Sequence, residues 1–352
     1  MKELLIYKGI MCVAVFLLSL AVAAYATLWE RKFAAFLQDR KGPSRAGPGG
    51  LLQPIADGVK MFMKEEIIPN VSNRSLFIIG PCLFMVTAVM TSVVIPWAKP
   101  VMVGGHLYDL QITDINIGTI YLLGVVSIGV YGIMIGGWAS NNKYALLGAV
   151  RASSQMISYE IAMGIALIAL IISSGGSLSL KDIIEGQDKG LCNFVYQPLG
   201  FLIFFICALA ETNRAPFDLP ECETELVGGY HTEYSSMKLG LFLFAEYINM
   251  FISSAIMAGF YFGGYNFPFA NELYAKLGLV EGDWLISLIG FGAYFTKIVL
   301  FICLFMWVRW TLPRFRYDQL MNLGWKTLLP LSLFNLALTM VIEYFRGNLH
   351  FN

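Results

Sequence analysis

Apolar residues gather into eight long runs along the chain, near 5–29, 76–97, 117–138, 156–174, 195–211, 239–262, 284–308 and 327–345. Between them lie segments that concentrate charge and the helix breakers Gly and Pro. A helix crossing a hydrocarbon core of about 30 Å needs roughly 17–25 residues. The pattern therefore predicts an all-α, polytopic integral membrane protein, a bundle of about eight transmembrane helices. The fifth run is the shortest, with about 16 apolar residues at 195–210, at the lower limit for a crossing. Composition agrees, since 57% hydrophobic against 14% charged residues, with mean hydropathy +0.65, excludes an ordinary soluble domain. No internal repeat is evident, and the chain reads as one membrane domain over 1–352.

An even number of spans puts both termini on one side. The segments at 30–75, 139–155, 212–238 and 309–326 then share the other side and carry 16 of the 24 Lys and Arg residues. By the positive-inside bias these segments face the cytoplasm and the termini face the periplasm. The zero net charge conceals this asymmetry. Lys2, Lys8, the first apolar run and Ala24-Tyr25-Ala26 have the form of a signal peptide with its cleavage site. Cleavage there would export the most basic segment of the chain, so the first run is read as an uncleaved span.

In the first basic segment, Gly42, Pro43, Gly47, Pro48, Gly49 and Gly50 break the chain. Leu51, Leu52, Ile55, Val59 and Phe62 then recur at helical spacing, with Asp57, Lys60 and Lys64 on another face. This predicts an amphipathic helix lying in the membrane interface, and periodicity alone favours a surface anchor over a ligand site. Gly132 and Gly136 form a G-x-x-x-G pair in the third run, a signal for close helix packing.

Candidate chemistry resides in acids. Glu160 falls in the fourth run, Glu211 ends the fifth, Glu246 lies in the sixth and Lys297 in the seventh. A charge at the bilayer centre costs about 2.5–3.5 kcal/mol, so such residues face a bundle interior or an aqueous cavity. Between 211 and 234 the carboxylates are Glu211, Asp218, Glu221, Glu223, Glu225 and Glu233. Pro216 and Pro220 forbid a regular helix there, and Asp218 followed by Glu221 resembles a helix N-cap. The segment is expected to fold back against the protein near the membrane surface. Desolvation and like charge both favour the protonated form of an acid, so such a cluster can hold and release protons near neutral pH. Structural readings compete with this one. A Glu–Lys pair between helices suits Lys297, and a solvated acidic face or a docking surface for a basic partner suits the exposed carboxylates. Glu221 and Glu225, four apart, would repel on one helical face. A secondary transporter exchanging protons for cations would use the same intramembrane acids, although it is commonly built from repeats.

Six cysteines (Cys12, Cys82, Cys192, Cys207, Cys222 and Cys303) form no C-x-x-C pair, and the three histidines are dispersed. No phosphate-binding glycine motif is present. The expectation is a chain with no metal site and no redox cofactor of its own.

The motifs ERK at 30–32, DRKGP at 39–43 and GLLQPIAD at 50–57 resemble the first loop of the NuoH-type membrane subunit of respiratory complex I, the proton-pumping NADH:quinone oxidoreductase. ETNRAPFDLPE at 211–221 is similar to that family's second signature. GWAS at 137–140, AEY at 245–247 and PRFRYDQL at 313–320 fit as well, so the likeness runs in order from Glu30 to Leu320. The resemblance implies a translocase subunit in a bacterial inner membrane, at the junction of a hydrophilic redox arm and a membrane arm. Its partners would be the other complex I subunits, with FMN and iron–sulfur clusters held there, and its substrate would be quinone, ubiquinone or menaquinone; no nucleic acid is implied. The resemblance also implies a quinone chamber bordered by Arg31, Asp57, Arg214 and Tyr247, with Arg314 and Arg316 of the last cytoplasmic segment. From it a proton path would lead through Glu160, Glu211 and Glu246 together with Asp218, Glu221, Glu223, Glu225 and Glu233. The amphipathic helix would then be a tunnel wall as well as an anchor, its apolar side suited to an isoprenoid tail. Cys222 stands where the family often has Ala, a neutral exchange. The membrane subunit of energy-converting hydrogenases shares this ancestry and fits the first-loop motif less well.

Overall fold

In lipid every backbone N–H and C=O must be satisfied within the chain, so apolar runs of this length close their hydrogen bonds as helices. The computed structural model describes residues 2–189, 192–220, 223–268, 270–276, 278–279 and 282–346. Its helices are α1 (Lys2–Leu37), α2 (Gln53–Met63), α3 (Arg74–Met90), α4 (Gly118–Ala139), α5 (Lys143–Ser173), α6 (Leu180–Gly186) and α7 (Asn193–Tyr196). They continue as α8 (Pro198–Glu211), α9 (Glu223–Leu226), α10 (Ser236–Phe262), α11 (Ala270–Lys276), α12 (Trp284–Thr311), α13 (Tyr317–Asn322) and α14 (Leu329–Phe345). A small antiparallel hairpin, β1 (Val101–Val103) with β2 (His106–Tyr108), pairs Val101 with Tyr108.

Among the described residues, seven apolar helical stretches are long enough to cross a membrane: Ile6–Leu37, Arg74–Val94, Gly118–Ala139, Lys143–Ser173, Ser236–Phe262, Trp284–Thr311 and Tyr317–Phe345. The eighth apolar helix, α8, has only 14 residues, about 21 Å of rise, and stops short of a full crossing. Helix α5 starts at Lys143 rather than at 156, so most of the segment expected as a loop is helical. Asn142 starts it by accepting the Tyr144 N–H at 2.9 Å, and hydropathy is blind to the polar turns that follow. The last basic segment is likewise shorter than expected, because α13 runs through a π-helical turn (Leu323–Leu328) into α14.

Helices α5 and α10 form the centre. The first packs on α4, α8 and α14, and the second on α1, α3 and α12. Glycines set the closest approaches: a Cβ added at Gly80 would lie 2.8 Å from the Cα of Gly136, and one at Gly132 would lie 2.8 Å from the backbone N of Phe84. The Gly132–Gly136 pair thus packs α4 against α3. At one end of the bundle Tyr7 donates to the Asp109 carbonyl (2.9 Å), Lys8 to the Gln111 carbonyl (2.7 Å) and Gln197 to Thr339 Oγ1 (3.2 Å). The first helix begins and the last helix finishes at that end. The acidic and basic connections meet at the other.

Lys297 binds backbone rather than the glutamate expected of it. Its ammonium donates to the carbonyls of Phe262 (2.7 Å), Gly264 (2.8 Å) and Asn266, where α10 ends at Gly263 in the left-handed region (φ 71°). Three N–H donors meet three carbonyls at a helix C-terminus, the end whose dipole favours a cation. Gly132→Val should force α3 from α4 at a cost of about 1–3 kcal/mol, lowering the thermal midpoint of the detergent-solubilised protein. Gly124→Val, where an added Cβ meets nothing within 4 Å, should leave the midpoint within the ordinary scatter of surface substitutions.

Candidate functional site

The acidic segment enters the bundle because α8 ends inside it. After Glu211 the chain turns at Asn213 (φ 50°) and passes a cis Ala215–Pro216 bond. Gln155 of α5, fully buried, fastens this turn by donating its amide to the carbonyls of Ala210 (2.7 Å) and Phe217 (2.8 Å). Buried polar groups need such partners, since an unmade hydrogen bond there costs about 1–3 kcal/mol. Pro216 O in turn accepts the Phe315 N–H at 3.2 Å, and Asp218, buried, pairs with Arg314 at 2.7 Å. At its far end the segment lies on α5 so tightly that a Cβ on Gly148 would sit 2.8 Å from the Tyr230 backbone N. Tyr234 stacks on Phe77 (4.1 Å) and donates to the carbonyls of Phe77 (3.2 Å) and Gly136 (3.1 Å). Burial holds its phenol well above the ordinary pKa, so it stays a donor.

The carboxylates divide by surroundings. Glu160 accepts the Ser127 hydroxyl and, with Glu211, lines a small enclosed cavity of about 10 Å³, close to the room one water needs. Met156, Met163 and Cys207 close it. Glu246 on α10 is buried and accepts the Tyr230 hydroxyl at 2.6 Å. Glu225 pairs with Arg151 at 2.6 Å and Glu233 accepts from Asn142 at 2.5 Å, which ties both to the α4–α5 turn and the first turns of α5. Glu223 opens α9, and Glu221 lies outside the described residues. Asp218 is joined to the last basic segment instead.

A second cluster centres on Glu30, which stands in the first-loop motif but carries no expected role. Its buried carboxylate receives Arg214 at 3.0 Å, the Tyr247 hydroxyl at 2.7 Å, and Arg309. The Arg214 guanidinium also lies 4.0 Å over the Tyr247 ring, a cation–π contact. Arg309 likewise belongs to none of the expected sites. The available signal was positional, for Glu30 ends the first apolar run and Arg309 ends the seventh.

Beside this cluster a cavity of about 160 Å³ opens between α1, α2 and α10. Arg31 and Asp57, paired at 2.7 Å, and Tyr247 are in its lining, with Thr27, Met61 and Phe244. Of the six residues assigned to a chamber, Arg31, Asp57 and Tyr247 therefore meet in one cavity and Arg214 stacks behind it. Arg314 is held by Asp218, while Arg316 is exposed and pairs with Asp318 at 3.4 Å. Helix α2 is amphipathic as expected, but turned: Pro54, Asp57, Gly58 and Met61 face the cavity, whereas Ile55, Val59 and Phe62 are exposed. Its apolar stripe is the face an interfacial helix gives to lipid. Among the described residues no group of His, Cys, Asp and Glu could hold a metal ion.

Removing one partner of a buried ion pair strands the other charge, at about 3–5 kcal/mol. Glu30→Ala should therefore sharply reduce the folded subunit recovered from membranes. Arg316→Ala, which breaks an exposed pair worth about 0–1 kcal/mol, should not.

Residues 10–340 match the family model described as NADH dehydrogenase. The chain is 62% identical over 337 residues to the H-type subunit 1 of the NADH-quinone oxidoreductase of Cytophaga hutchinsonii, covering 96% of each chain. It is 58% identical over 335 residues to the H-type subunit of the Flavobacterium johnsoniae enzyme, covering 95% of this chain and 94% of the other. Subunit 8 of the Rhodothermus marinus enzyme is 47% identical over 326 residues, 92% of each chain. Spanning helices, buried acids and near full-length identity converge: the chain belongs to the NuoH-type family, an integral membrane subunit of NADH-quinone oxidoreductase, or complex I.

Proposed function

We propose that this subunit forms part of the quinone chamber of its complex and joins it to a glutamate path for protons. The observation that carries the reading is the place of Arg214. It belongs to the acidic segment, three residues beyond Glu211, yet its guanidinium rests on Glu30 and Tyr247 at the cavity between α1, α2 and α10. One segment thus touches both the cavity and the buried acids.

Reduction of a quinone to the quinol takes up two electrons and two protons, so it changes the charge balance of the chamber. A change felt at Glu30 or Tyr247 would pull on Arg214 and, through it, on the turn that holds Glu211. Coupling of this kind requires two conformations of the acidic segment with different proton affinities. Glu211 and Glu160 share a cavity close to the size of one water, and Glu246 lies beside the same segment, so protons would pass between them without crossing the hydrocarbon. Asp218, Glu221, Glu223, Glu225 and Glu233 would continue the acidic path at its chamber end. The arginines at 314 and 316 would border the chamber from the last basic segment.

In this reading the basic connections face the cytoplasm, the termini face the periplasm, and the membrane is the bacterial inner membrane. The chain forms one membrane domain. Redox-arm subunits bearing FMN and iron–sulfur clusters dock on the cytoplasmic side, and the pumping subunits of the membrane arm lie beyond the acids. Glu211→Gln and Glu246→Gln should leave the complex assembled while lowering the protons pumped per electron in liposomes. Wild-type pumping in both variants would sink the path.

A further inference from the structure

Tyr230 is the residue of the acidic segment that reaches a carboxylate on a spanning helix. It is fully buried, and its hydroxyl donates to Glu246 Oε1 at 2.6 Å. Its ring is edge-on to Phe242 (centroids 5.1 Å apart, 73°), one helical turn before Glu246, and edge-on to His231 (5.1 Å, 85°). On the backbone side the close approach of Gly148 leaves no room between Tyr230 and α5. The flanking acids are also tied down, Glu225 to Arg151 and Glu233 to Asn142. The phenol therefore cannot leave Glu246 unless the segment shifts on α5.

A hydrogen bond from a neutral donor to an ionised acceptor is roughly twice as strong as one between neutral partners. The Tyr230 hydroxyl consequently holds the Glu246 carboxylate more firmly than it holds the protonated acid. Proton occupancy at Glu246 and the seat of the segment on α5 are then linked in both directions.

We propose that Tyr230 is a positioning residue for Glu246, fixing its carboxylate and tying its charge state to the position of the acidic segment. This rests on Glu246 being a proton carrier, as proposed above.

Tyr230→Phe removes the hydroxyl and keeps the ring against Phe242. In the assembled complex reconstituted in liposomes, electron transfer from NADH to quinone should stay near the wild-type rate while protons pumped per electron fall at least twofold. In redox-induced infrared difference spectra, the carboxyl band that disappears in Glu246→Gln should be shifted in Tyr230→Phe. Combining the two substitutions should cause no further loss than Glu246→Gln alone. Wild-type pumping and an unshifted band in Tyr230→Phe, with pumping lost in Glu246→Gln, would overturn the role of Tyr230 and leave that of Glu246 standing. Wild-type pumping in Glu246→Gln would instead remove the reading beneath both. Should Tyr230→Phe fail to assemble, Glu246→Asp withdraws the acid from the hydroxyl by one methylene; reduced pumping supports the proposal and wild-type pumping overturns it.

Discussion

A helix of 14 residues cannot span a hydrocarbon core, and the site follows from that single shortfall in α8. Because α8 stops early, Glu211 and the turn behind it remain at a depth where water is scarce. Every polar group carried there needs a partner from the protein. Gln155 supplies two hydrogen bonds to the turn, Arg314 neutralises Asp218, and Asn142 and Arg151 take the outer acids. The length of α5 serves the same need, since its first turns carry residues that receive the segment.

Glu30 answers the same constraint on the opposite flank. It is a buried acid with two arginines and a tyrosine converging on it from α10, α12 and the acidic segment. A buried ion pair contributes little net stability compared with a well-packed apolar substitute, but it is expensive to break. Its consequence is geometric: it sets where Arg214 sits, and therefore where the segment meets the cavity beside α2. A single element in contact with a ligand cavity and with buried acids is the minimum that coupling between them requires.

Much of this was legible in the chain. Eight apolar runs, the Gly132–Gly136 contact, the amphipathic α2 and the fold-back of the acidic segment all follow from local pattern and from the cost of charge in lipid. What was not legible depends on distant partners. Glu30 and Arg309 lie 279 residues apart, and nothing local announces their pairing. The three carbonyls on Lys297 belong to a helix end that no charge pattern encodes. Which face of α2 meets the bundle is decided by Gln53, Asp57 and Arg31 bonding to one another, so its hydrophobic stripe points elsewhere. The early start of α5 was hidden because its first turns are helical without being apolar.

Coupling in this subunit requires that the segment at 211–235 be held within the bundle at rest and change its seat when quinone is reduced. Amide hydrogen exchange over that segment in the assembled, membrane-embedded complex tests this directly, with and without NADH-driven turnover. Slow exchange at rest and faster exchange during turnover, with α3 and α4 unchanged as internal references, is the result expected. Exchange that is already fast at rest, or identical under both conditions, would contradict it.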